Sequence, residues 1–222
     1  MSDRSTDQLI HDLVQEVPPV RRIPALRVVM TGVVVLWAIA VSLMWIFGVP
    51  LPDLVRGIPW GDPKFVSILV GLLFVGVGAT LAALAAAVPG RENVARAGGG
   101  AALFGIVLAA GGGLWAVFGA APRGVVDLLG CLTCIRRAGA LALLPGLVAS
   151  LFLVRAFARR PLLGAGFAVA GTVALGGFVV HISCRGAGAL HMLLGHALAP
   201  VLFGFALAVP IGLLVRYWSQ RA

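Results

Sequence analysis

Charged residues are scarce in this sequence. They make up 11% of the 222 residues, whereas 60% are apolar, and a soluble domain carries about 25% charged residues. Only eight residues are acidic, and none of them lies within a long apolar run. The shortage of charge excludes an ordinary soluble domain, so we expect an integral membrane protein. The lack of acids in the apolar runs argues against ion coupling by intramembrane carboxylates.

The first residues lack the pattern of a secretory signal. Such a signal has a basic start and a short apolar core, whereas four acidic residues precede the first apolar run, which begins at Val28. We therefore expect the N-terminal segment to remain on the mature protein. The net charge of +9 does not predict direct nucleic-acid binding, because the arginines flank apolar runs as topology signals do.

Six apolar segments dominate the chain. They cover residues 28–49, 65–88, 99–120, 138–154, 162–182 and 192–215, and a spanning helix needs about 20 mainly apolar residues. The predicted fold class is all-α: an integral membrane bundle of six transmembrane helices with a short N-terminal cytoplasmic amphipathic helix. Glycines within the spans, among them Gly71, Gly76, Gly78 and Gly98–Gly100, predict close helix packing.

Lysine and arginine are unevenly distributed about these spans. With the N-terminus inside, eleven lie on the inner side and six on the outer side. Cytoplasmic loops carry the excess of positive charge in membrane proteins. We therefore predict that both termini are cytoplasmic, and all three cysteines then belong to the outer side.

Residues 1–26 are predicted to form a cytoplasmic segment that binds a protein partner, and residues 27–222 the transmembrane domain in contact with lipid. An apolar stripe at helical spacing runs until Pro18 and Pro19 end the helix. The opposite face is acidic, whereas surface helices that seek anionic lipid are basic. The expected partner-binding residues are Leu9, Ile10, Asp12, Leu13, Val14, Glu16 and Val17.

The three cysteines fall at two predicted rims of the bundle. Cys131 and Cys134 precede the fourth span, and Cys184 follows the fifth. An oxidising outer compartment permits a disulfide between Cys131 and Cys184, which leaves one thiol unpaired. We expect Cys134 to matter less, because it lies one helical turn deeper towards the fourth span.

Three of the four histidines lie close to Cys184 in sequence. His181 and Cys184 are spaced to ligate one metal ion, with His191 or Cys131 completing the shell, and such ligands suit zinc or copper. Alternatively, His181 and His196 form hydrogen bonds between helices. His191 and His196 are about 140° apart around an α-helix, so they should not share a face. We predict no permanent metal site and no cofactor.

Three short motifs resemble the NrsF-like family of six-span membrane anti-sigma factors. They are the N-terminal helix leading into Pro18-Pro19-Val20-Arg21-Arg22, the stretch Gly130-Cys131-Leu132-x-Cys134, and the region from His181 through Cys184 and His191 to His196. The resemblance covers nearly the whole chain. It implies a bacterial inner-membrane protein whose cytoplasmic N-terminal segment helps hold an extracytoplasmic-function sigma factor.

The same resemblance implies a stress-responsive cysteine in each of two outer loops, which by position are Cys131 and Cys184. The chain departs from the family pattern at Ile182 and Ser183, which separate His181 from Cys184 where the family places histidine and cysteine nearly adjacent. The resemblance therefore implies a regulator rather than an enzyme, and we expect Cys131, His181 and Cys184 to be its sensor residues. A small-molecule or metal transporter and a membrane thiol–disulfide protein stay open as alternatives.

Overall fold

A computed structural model describes residues 24–48, 59–119, 126–156, 160–184 and 188–220, together with Gln8, Ile10 and His11. Within these residues the chain is helical and contains no strand. The six long helices are α1 (Leu26–Gly48), α2 (Pro63–Ala86), α3 (Glu92–Phe118), α4 (Val126–Arg155), α5 (Pro161–Ser183) and α6 (Ala199–Ser219). A short π-helix, His191–Ala197, directly precedes α6.

All six long helices contain a stretch long and apolar enough to cross a membrane. The predicted all-α bundle of six spans is therefore confirmed, and the chain has the architecture of a multi-pass membrane protein. The centre of the bundle is formed by α2 and α5, each 72% buried over its most apolar stretch, whereas α1 is only 17% buried. Thus α1 lies at the edge and offers most of its surface to lipid.

The helices α2 and α3 pack backbone against backbone. A Cβ atom added to Gly78 would lie 2.6 Å from the backbone nitrogen of Ala102, and one added to Gly71 would lie 2.6 Å from that of Ala109. Only glycine permits this approach, in which van der Waals contact holds two membrane helices together. The predicted packing role is confirmed at these positions, whereas Gly100 faces open space.

The fourth helix begins at Val126 rather than near residue 138, so the prediction that Cys131 and Cys134 precede the fourth span was wrong. The side chains of Arg136 and Arg137, which suggested a polar break, are exposed on one face of the helix. The other face carries a buried stripe at helical spacing, namely Cys131, Cys134, Ala138 and Leu141. This amphipathic pattern extends the apolar span into one continuous helix.

One end of the bundle gathers parts of all six helices, because successive helices run in opposite directions. There the last turns of α1 pack with the first half of α4 and the last turns of α5. The first turn of α2 contacts His181 of α5, and Gly113 of α3 lies against Leu193 of the π-helix. We call this end the cysteine end, since Cys134 and Cys184 lie there.

Of the predicted partner-binding segment, only Gln8, Ile10 and His11 are described. All three are helical and exposed. The other residues expected to bind the partner, Leu9, Asp12, Leu13, Val14, Glu16 and Val17, lie outside the described residues.

Candidate functional site

The π-helix brings two histidines together. Its hydrogen bonds close from residue i to residue i+5, as in the bond from the backbone N–H of Leu198 to the carbonyl of Leu193. Residues five apart therefore lie on the same side of the helix, and the Nε2 atoms of His191 and His196 are 3.2 Å apart. The prediction that these two residues face apart was wrong, because it assumed α-helical geometry.

Cys184 links this histidine pair to α4. It directly follows the last residue of α5, in an extended conformation. Its Sγ atom lies 3.0 Å from Nε2 of His191 and 3.4 Å from Sγ of Cys134. All three cysteines are free thiols. We call Cys134, Cys184, His191 and His196 the Cys–His cluster; it joins α4, α5 and the π-helix.

Cys131 lies beside the cluster. It is buried, and a Cβ atom added to Gly195 would lie 3.1 Å from its Sγ atom. Cys131 therefore packs against the backbone of the π-helix, whereas Cys134, one turn further along α4, contacts Cys184. Sequence reasoning assigned Cys134 the smaller role, yet the structure places its sulfur in contact with that of Cys184; which cysteine matters more for function stays a prediction. The buried stripe of α4 would have signalled this contact, had the start of that helix been recognised.

His181, the third predicted sensor residue, connects the site to α2. It is only 2% exposed, and its Nε2 atom lies 3.2 Å from the carbonyl oxygen of Phe65. Its ring stacks on that of Phe65 at 4.3 Å and lies 4.8 Å from the ring of His196. The alternative interpretation, a hydrogen bond between helices, is confirmed for His181. Its ring therefore lies between Phe65 of α2 and His196 of the cluster.

The environment of Cys184, just beyond the apolar span of α5, stabilises its charged form. The hydrogen bond with Cys134 lowers the pKa of the Cys184 thiol, and the imidazoles of His191 and His196 add to this effect, although burial opposes it. A lowered pKa favours the thiolate, which is both the nucleophile in thiol chemistry and the form that binds metals.

One polar atom of the cluster lacks a hydrogen-bond partner among the described residues. His196 is 1% exposed, and its Nδ1 atom makes no hydrogen bond to any residue that the structure describes. Burying an unpaired polar group costs about 1–3 kcal/mol. Such groups in native structures call for an explanation, and a functional role is one of the usual ones.

No model of a known protein family matches the chain, and no curated protein or solved structure does so either. The chemistry of the cluster must therefore be argued from its own atoms. The two sulfurs can form a disulfide or become oxidised. The sulfurs and the two imidazoles together can ligate a soft metal ion. Each of these reactions would change how α4, α5 and the π-helix are held together.

Proposed function

We propose that this chain is a membrane anti-sigma factor that senses chemical stress at its Cys–His cluster. Its N-terminal segment holds an extracytoplasmic-function sigma factor at the inner membrane, and a change in the cluster releases that factor. The observation that carries the proposal is the Cys–His cluster itself, which ties three elements together at one end of a six-span bundle. The motif resemblance supplies the class of partner.

The packing offers a route from the cluster to the N-terminal segment. Both α4, which begins at the cysteine end, and α5, which ends there, extend to the opposite end of the bundle. There a buried apolar cluster joins Phe152 and Leu153 of α4 to Val29 and Val33 of α1. Because α1 begins directly after the N-terminal segment, a shift of α4 would alter the anchorage of that segment.

The size of the response follows from the free energies involved. A signal acts only through its differential stabilisation of the two arrangements, and moving an equilibrium from 1:99 to 99:1 takes about 5.5 kcal/mol. A disulfide contributes about 2–4 kcal/mol. A disulfide switch alone therefore gives a partial release, unless degradation of the opened form drives it further.

The test is to replace Leu9, Leu13 and Val17 together by aspartate. An apolar helix face that fills a groove of the sigma factor cannot tolerate three charges, so the factor should be free while the protein stays in the membrane. The measurements are co-purification of the sigma factor with membranes and a sigma-dependent reporter. His11→Asp, on the polar face, is the matched control and should leave both unchanged. Full repression after deletion of residues 1–26 would contradict the proposal.

A membrane thiol–disulfide protein is the second candidate, favoured by the 3.4 Å contact between the sulfurs of Cys134 and Cys184. Such a protein would turn over an external dithiol substrate many times, whereas a sensor changes only its own state. Incubation of the purified protein with an excess of a reduced unfolded protein and an oxidant distinguishes the two, since only the catalyst accelerates oxidation of that substrate.

A further inference from the structure

We infer that Cys134, Cys184, His191 and His196 form a closed site for one divalent metal ion of the zinc class. Each residue offers one ligand atom, and the four atoms all lie within 4.8 Å of one another. In a tetrahedral zinc site, with bonds of about 2.0–2.3 Å, the ligand atoms are about 3.3–3.8 Å apart. Three of the six separations here are 3.0, 3.2 and 3.4 Å, so one lies within this spacing and two fall slightly below it.

Two of the other ligand atoms lie close to Nε2 of His191. Sγ of Cys184 and Nε2 of His196 both approach Nε2 of His191, yet a ring nitrogen carries at most one proton. One such proton does not serve both neighbours with good geometry. A cation at the centre of the four atoms would accept one lone pair from each of them at once.

Charge and ligand chemistry select the class of ion. Thiolate sulfur and imidazole nitrogen bind zinc and softer ions, whereas calcium and magnesium require oxygen ligands. Two thiolates and two neutral imidazoles balance a divalent ion, so no net charge would be buried. Any proton on either thiol passes to solvent when the ion binds.

Four protein ligands leave no position for a substrate, which is the arrangement of structural zinc sites rather than catalytic ones. Cys134, His191 and His196 are buried and Cys184 is half-buried, so the ion would lie largely buried between α4, α5 and the π-helix. Occupancy would fix the π-helix against the two long helices. Only the regulatory meaning of this occupancy rests on the proposed function; binding itself does not.

The experiment uses the full chain without a histidine tag, purified in detergent, reduced and stripped of metal. Cobalt(II) serves as the probe, because tetrahedral cobalt with thiolate ligands absorbs visible light intensely and octahedral cobalt at surface histidines absorbs weakly. We expect one cobalt per chain with the intense spectrum, and its loss on addition of one equivalent of zinc. A weak spectrum, or none at saturating cobalt, overturns the site.

Single substitutions assign the ligands. Cys134→Ser, Cys184→Ser, His191→Gln and His196→Gln should each weaken zinc binding by at least about 100-fold, since even second-shell changes reach 10–100-fold. Cys131→Ser and His181→Gln are matched controls, buried beside the cluster but outside the ligand set, and should keep one ion per chain. Equal loss in Cys131→Ser and Cys134→Ser overturns the assignment.

Thermal unfolding guards against misfolded variants and gives a second readout. Zinc should raise the unfolding midpoint of the wild type and of Cys131→Ser, because an ion that binds only the folded state stabilises it, but not that of Cys184→Ser. Failure of the metal site and failure of the proposed function can be told apart, because these titrations need no sigma factor. Zinc binding without an effect on sigma release keeps the site and removes its regulatory meaning. Stress-dependent sigma release by a protein that binds no zinc overturns the site and keeps the proposed function.

Discussion

The sulfur atoms of Cys134 and Cys184 lie 3.4 Å apart, although fifty residues separate the two cysteines in the chain. A glycine makes this contact possible. A Cβ atom on Gly176 of α5 would collide with the carbonyl oxygen of Ala138 in α4, so only glycine allows the two helices to come this close. The approach of the two backbones, one turn beyond Cys134, places the two thiols in contact.

Mild oxidation should therefore crosslink Cys134 to Cys184. Sequence reasoning alone would pair Cys131 with Cys184, whereas contact between the sulfurs favours Cys134. The linked peptides, identified by mass after digestion without reduction, check this directly. The crosslink should persist in Cys131→Ser and vanish in Cys134→Ser; a predominant link between Cys131 and Cys184 would refute the geometry.

Replacing Gly176 by alanine should separate α4 from α5. The new methyl group meets backbone, which cannot move aside as a side chain does, and overpacking of this kind costs about 1–3 kcal/mol. Gly177→Ala is the matched control, since a Cβ atom there lies 3.6 Å from Leu72, an ordinary contact. We expect a lower unfolding midpoint and slower Cys134–Cys184 crosslinking in Gly176→Ala only. Equal behaviour of the two variants would argue against the close approach.

Substitution of His181 by alanine should destabilise the bundle without removing a ligand of the cluster. The ring is buried against Phe65 and bonded to its carbonyl oxygen, so the change leaves a cavity and an unpaired acceptor at a cost of about 3 kcal/mol. The unfolding midpoint in detergent measures this loss. His181→Gln retains a donor and should recover part of it; no difference between the two substitutions would show that the hydrogen bond contributes little.

Reporter fusions test the predicted orientation. A fusion after Arg96 or Arg160 should be active only as a cytoplasmic reporter, and one near Gly186 only as a periplasmic reporter. The expectation rests on the excess of arginine on the predicted inner side. A periplasmic signal from Arg160 would place the cysteine end in the cytoplasm, where reducing conditions disfavour a disulfide switch.

The sequence by itself determined the number of spans. Each span is selected by a local property, because a segment of about 20 apolar residues that satisfies its own backbone hydrogen bonds is stable in lipid whatever its neighbours are. The same local reasoning identified the packing role of Gly71 and Gly78, since small residues serve close helix contacts in any membrane bundle. Local reasoning failed at the start of α4, because the adjacent charges of Arg136 and Arg137 suggested a polar break between two spans.

Only the tertiary structure decided which side chains form the site. Whether Cys131 or Cys134 contacts Cys184 depends on the rotation of α4 relative to α5. The pairing of His191 with His196 depends on a local change of helical period. Neither is a property of one segment. Rotation and register are set by contacts between helices far apart in the chain, such as that of Gly176 with Ala138, and the residues of a single helix carry no record of them.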